Sequence, residues 1–206
     1  MLTRSHVVIA GATWAAVWWR PVVVGRLGPV VAPLVPLVLP ASAETAGRAA
    51  LTLFCVAVGA LLPDLDHPRA WLAQLRLARH GLLRFIRPFA LPSAVLREEF
   101  GHRGGLHSLL AAVGVYAGLR ALDAAAPGAA QAGAALAWGY ILHLAADMLT
   151  NRGVPLLFPF WRGRWHLPWP LAVRTGSLGE ALYVAFTVAL ATAYAVGAAS
   201  SAAGTR

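Results

Sequence analysis

The sequence predicts an all-α, polytopic membrane protein with about five transmembrane helices and one amphipathic interfacial helix. Three observations predict it. Of 206 residues, 59% are hydrophobic and only 12% charged, whereas a soluble domain carries about a quarter charged residues. Apolar stretches near the length of about 20 residues that crosses a hydrocarbon core recur along the chain. The arginines gather mainly between those stretches. Soluble, disordered, collagen-like and disulfide-stapled classes are excluded on this balance. The single cysteine, Cys55, lies in an apolar run, which excludes an internal disulfide and a cysteine zinc site.

The first stretch, residues 7–24, carries Trp14, Trp18 and Trp19 and ends near Arg20 and Pro21. Residues 27–40 are apolar but hold Pro29, Pro33, Pro36 and Pro40, and repeated proline removes helix donors. They read as a loop or re-entrant piece, not a sixth span. Arg4 with the apolar run and Ala41-Ser42-Ala43 also resembles a secretory leader, but the distance is too long for one h-region and proline interrupts it. The other spans are 46–62, 106–122, 129–149 and 178–199. The chain is thus one integral membrane domain, 1–206, with loops 63–105 and 150–177.

Those two loops and Arg4 collect twelve of the seventeen basic residues, all arginine. Cytoplasmic loops carry the excess of positive charge. The reading is a multi-pass protein of the bacterial cytoplasmic (inner) membrane, with the amino terminus cytoplasmic and the carboxyl terminus outside. Within the first loop, Trp71, Leu72, Leu75, Ala78, Leu82, Phe85 and Ile86 recur at helical spacing, with Arg76, Arg79, His80, Arg84 and Arg87 opposite. Such a helix lies in the headgroup layer and attracts anionic membrane lipid. The arginines interleave with aliphatic more than aromatic residues, which suits lipid better than nucleic acid. In the second loop, Trp161, Trp165 and Trp169 with Arg162 and Arg164 suit an interface-bound segment that covers the cytoplasmic ends of the helices.

Acids are scarce, and their positions are informative. Three of the four aspartates sit in histidine-bearing motifs: Asp64 and Asp66 in Pro63-Asp64-Leu65-Asp66-His67, and Asp147 in His143-x3-Asp147. His143 and Asp147, at i and i+4 on a helix, project from one face. Asp64 and Asp66, at i and i+2 past a proline, point the same way if the chain is extended there. Gly104-Gly105 permits a turn that folds His102 over His107, and Arg103 offers a fork for phosphate or carboxylate. With the predicted topology, His6, Asp64, Asp66, His107, His143, Asp147 and Glu180 fall at one membrane face. Helix-end Asp and His often merely cap or pair with arginine, but ionisable groups near a bilayer are costly and are usually functional. Histidine with aspartate and no cysteine favours a divalent transition metal, zinc first, with manganese or iron next, at one to three ions. His166 is an interfacial residue before it is a ligand.

His6, Leu61-Leu62-Pro63-Asp64-Leu65-Asp66-His67, His102-Arg103-Gly104 with His107-Ser108, and His143-x3-Asp147 with Thr150, Gly153, Pro155 and Pro159 resemble the YdjM-type membrane-bound metal-dependent hydrolase family. The resemblance covers about residues 4 to 180, and Gly176-Ser177 with Glu180 fits its tail. It implies distant similarity to zinc-dependent phospholipase C and the S1/P1 nucleases, which are all-helical enzymes with clustered zinc. It also implies that His6, Asp64, Asp66, His107, His143 and Asp147, with His102 as an outer candidate, are metal ligands. Leu106 departs from the family, where threonine is more frequent; the change removes a hydroxyl beside the site. The expected function is a metal-dependent hydrolase at the cytoplasmic surface, a phosphoesterase acting on a lipid or lipid-linked phosphate. In it, Asp64 or Asp66 orients the attacking water and Arg103 steadies developing charge. The rival expectation is a non-enzymatic metal-binding scaffold or cation carrier, though a carrier places its ligands nearer mid-membrane.

Overall fold

The computed structural model describes residues 3–18, 46–67, 71–76, 80, 87–100 and 104–203. Over those residues the chain is all-helical, with isolated bridges but no strand. Its helices are α1 (Thr3–Trp18), α2 (Ala46–Gly59), α3 (Trp71–Gln74), α4 (Ala90–Phe100), α5 (Leu109–Ala121), α6 (Ala129–Met148) and α7 (Leu178–Ala203). Two 3-10 turns, Pro63–Asp66 and Gly105–His107, follow α2 and precede α5. Residues 27–40, His102 and Arg103 lie outside the described residues.

α6 packs against α1, α2 and α5, and α1 packs in turn against α7. The core between α1, α2 and α6 is made of Ala10, Trp14, Val56, Ala60, Ala134 and Ala135. Small side chains let helix backbones approach closely. The limit is reached where α2 crosses α6. A Cβ on Gly59 would land on the Leu136 carbonyl oxygen, and one on Gly139 on the Val56 carbonyl oxygen. Large apolar residues instead face outward: Leu51 and Phe54 on α2, Leu110 and Val113 on α5, and Leu178, Leu182, Phe186 and Leu190 along one stripe of α7.

Three expectations change. The spans 46–62 and 106–122 shorten to helices of 14 and 13 residues, about 20 Å of rise each. The cause is local: Pro63 has no N–H with which to continue α2, and Ser108 caps a new helix by accepting from the Ala111 amide at 3.2 Å. Among the described residues no helix is long and apolar enough to cross a membrane. Of the amphipathic helix expected across 71–87, the described residues show the turn α3, with Leu75 and Arg76 beyond its end; residues 77–79 and 81–86 lie outside the described residues. Among the described residues of this loop the longest helix is α4, which the spacing did not single out.

The loop after α6 folds back over that helix's end. The Leu167 amide donates to the Met148 carbonyl at 2.9 Å, and the Asn151 amide to Val173 at 3.1 Å. Val154 and Trp165 exchange a reciprocal pair at 3.0 and 2.8 Å. Gly153, at φ 58°, leaves no room for a Cβ beside the Trp165 backbone.

Candidate metal centre

Five of the sequence-predicted residues converge at the end of α6. His6 on α1, Asp64 in the first 3-10 turn, His107 in the second, and His143 and Asp147 on α6 form two overlapping groups. His6, Asp64 and His143 make one, and His107, His143 and Asp147 the other. All are buried except Asp64, whose side chain keeps 18% of its exposure.

The geometry follows from the packing. The glycine crossing presses the end of α2 onto α6, one turn before His143. There the Ala60 carbonyl meets His143 Nδ1 at 2.8 Å. Pro63, three residues beyond Ala60, has no N–H to offer that carbonyl. A carbonyl only accepts, so Nδ1 carries the proton and the Nε2 lone pair of neutral imidazole points into the cluster.

Both carboxylates face that nitrogen. His143 Nε2 lies 3.9 Å from Asp64 Oδ1 and 3.9 Å from Asp147 Oδ2. His107 Nε2 faces the same two atoms at 3.7 and 3.9 Å. The other oxygen of Asp147 is 3.3 Å from His6 Nε2, and the His6 ring stacks on His143 with centroids 3.7 Å apart. These separations exceed good hydrogen bonds. They fall within the ~4.2 Å that two donors can reach across one ion, given ligand bonds of roughly 2.1 Å. His6 Nδ1 and His143 Nε2 are buried without a hydrogen-bond partner among the described residues. Two carboxylates sunk in a buried cluster are costly without a compensating cation. Donor type, spacing and charge therefore fit a metal ion, which these groups could hold.

Asp66 behaves differently from Asp64. Residues 63–66 form a 3-10 turn rather than extended chain, so positions two apart diverge by about 120°. Asp64 turns to the Nε2 side of His107, while Asp66, 1% exposed, lies 3.9 Å from its Nδ1. Asp66 thus stands behind the histidine, where a carboxylate orients an imidazole ligand. Burial pushes the Asp64 carboxyl upward, but its contact with His107 and the neighbouring imidazoles of His143 and His6 hold it below the ordinary carboxylate range.

Glu180 is buried at the start of α7, outside both groups of ligand atoms. It accepts from Ser5 Oγ at 2.6 Å and from the Gly176 amide at 2.7 Å. His166 is exposed, and its ring meets the Leu167 carbonyl. Sequence reasoning missed Ala60, since a backbone acceptor has no side-chain signature, and Ser5, whose only signal was its place beside His6. Thr150 was read as part of the motif; it is buried and donates to the Asp147 carbonyl at 2.7 Å, tightening the turn that ends α6.

The model of a family described as "YdjM inner membrane protein" matches residues 1–204. The inner membrane protein YdjM of Escherichia coli is 39% identical over 117 residues, covering 55% of this chain and 50% of that protein, and the Shigella flexneri YdjM matches equally. The chain thus spans about half the length of these two relatives. An uncharacterized protein of Bacillus subtilis, YvsG, is 31% identical over 129 residues, 63% of this chain and 68% of its own. No solved structure matches. With nearly its whole length matched, the chain belongs to the YdjM inner membrane protein family.

Proposed function

We propose that this protein is a multi-pass, metal-dependent hydrolase of the bacterial inner membrane, a phosphoesterase acting at the cytoplasmic surface on a lipid or lipid-linked phosphate. The observation that carries the reading is the set of imidazole and carboxylate atoms 3.3–3.9 Å apart and closed from solvent except at Asp64. The outward Leu and Phe side chains of α2, α5 and α7 support embedding in lipid, since patches of this kind are rare on soluble surfaces.

His107, His143, Asp64 and Asp147 would hold an ion, with His6 sharing Asp147 through its other oxygen. A divalent ion of this kind lowers the pKa of water and polarises a phosphoryl oxygen. Asp64, the partly exposed member of the cluster, would orient the attacking water. Asp66, 3.9 Å from Nδ1, would steady the His107 ring by its charge, and Ala60 holds His143 in its tautomer. Arg103, two residues before the second turn, is assigned to the developing phosphate charge on chemistry alone. Zinc fits the donor set best; manganese or iron would also be accepted.

A second reading, a metal-stabilised scaffold without activity, is favoured by the burial of His6, His107, His143 and Asp147, because structural sites are closed. One experiment separates the two. Protein purified in mild detergent is analysed for bound transition metal, and phosphate release is followed from lipid phosphates. The hydrolase reading expects at least one ion per chain and release that His143→Ala abolishes. Metal without release supports the scaffold; absence of metal, with His143→Ala unchanged, removes both. Cysteine-accessibility mapping that placed residues 3 and 65 on opposite faces would overturn the five-span topology.

A further inference from the structure

We propose that the groove between α1 and α7 is a binding site for one anionic phospholipid, its phosphate held at Arg4 and an acyl chain laid along the two helices. The groove encloses about 380 Å³, within the range of small-ligand sites. Its two ends differ in chemistry. At one end are Arg4, in the first turn of α1, and Ser177, immediately before α7. Further along the axes the walls are apolar: Val8 on α1 faces Ala181 and Ala185 on α7. Four residues separate Arg4 from Val8 and eight separate Ser177 from Ala185, so the polar head leads into roughly 6–12 Å of apolar trough. The alanines keep that trough concave.

The sign of the ligand comes from which charge is committed. Glu180 in the floor is buried, and its two oxygens are taken by Ser5 Oγ and the Gly176 amide. Arg4 is exposed and makes no ion pair among the described residues. The exposed charge at the head of the groove is therefore positive. A polar-to-apolar gradient parallel to two helices of an inner membrane protein matches a lipid standing in a bilayer better than a free phosphate, which has no use for the trough. Ser5 lines the floor one residue before His6, so the head of the lipid sits at the level of the metal cluster.

This inference builds on the lipid half of the proposed function and needs no hydrolysis. The test uses the full chain in neutral detergent micelles, titrated with fluorescent phosphatidylglycerol and, separately, phosphatidylcholine. Each titration is repeated on His143→Ala, so failure of the metal reading leaves the binding result standing. Phosphatidylglycerol is expected to bind more tightly, Arg4→Ala to weaken it about fivefold, and Arg4→Lys to retain most of it. Ala185→Phe, an exposed position that fills the trough, is expected to weaken binding with Arg4 intact. Arg152→Ala, on an exposed loop elsewhere, is expected to bind like the parent. Equal loss in Arg152→Ala and Arg4→Ala would reduce the effect to diffuse charge and overturn the proposal. So would parental binding by both Arg4→Ala and Ala185→Phe, or displacement of the lipid by equimolar inorganic phosphate.

Discussion

His143 donates from Nδ1 to the carbonyl of Ala60 at 2.8 Å, and this bond joins helix packing to ligand chemistry. It exists because Gly59 and Gly139 let α2 and α6 touch backbone to backbone. The tautomer of the most shared ligand is thus set by two glycines one turn away.

Gly139→Ala is the direct test. Its Cβ would overlap the Val56 carbonyl, a backbone atom that cannot rotate aside. Overpacking of this kind costs about 1–3 kcal/mol, and α2 should withdraw Ala60 from His143. Gly114→Ala, with nothing within 4 Å of the new methyl, should be neutral or gain up to about 1 kcal/mol from helix propensity. Thermal unfolding of both variants in detergent decides; a Gly139→Ala protein as stable as its parent would show that the crossing is looser than described.

Asp64 and Asp66 should separate in metal titrations. Asp66→Asn is expected to keep the number of bound ions while weakening affinity roughly 10- to 100-fold, as loss of an orienting partner does. Asp64→Asn should remove a ligand and, if the enzyme reading holds, activity as well. Identical loss of stoichiometry in both variants would make Asp66 a ligand after all.

Ser108 closes the turn that presents His107. It donates to the Gly105 carbonyl at 2.6 Å and caps α5 through the Ala111 amide. Ser108→Ala should lower stability by about 1 kcal/mol, and Ser108→Thr should recover most of it. A thermal shift that does not distinguish alanine from threonine would exclude the cap as the cause.

The loop after α6 carries Phe160 and Trp169, 87% and 88% exposed. Aromatic residues of this kind settle at headgroup level. The fluorescence lost in Trp169→Phe should be quenched more strongly by lipids brominated near the glycerol than near the chain end. Quenching by neither would place the loop in water.

The cluster was largely legible because side-chain chemistry survives in sequence. His143 and Asp147 share a face at any i,i+4 helical spacing, and a chain with four aspartates advertises the three beside histidines. What was not legible was backbone. The 3-10 turn at Pro63–Asp66 replaced extended chain and sent two aspartates to opposite nitrogens of His107. Four residues can adopt either form, and tertiary contacts choose. The amphipathic period from Trp71 was visible in sequence, yet α3 ends at Gln74 and Leu75 and Arg76 are not helical, because periodicity records which faces differ and not whether the turns join.

The bond from Ser5 to Glu180 spans 175 residues, and this has a consequence for biogenesis. A chain emerging from the ribosome makes α1 long before α7. Contacts so distant in sequence form only after the whole intervening loop is closed. The tie beside His6 therefore cannot form until α7 has been synthesised and docked. Chains cut short before Glu180 would carry every cluster residue and still lack this tie on the first helix. Capture of an ion by all five groups would then mark a chain synthesised through α7 with α1 docked against it.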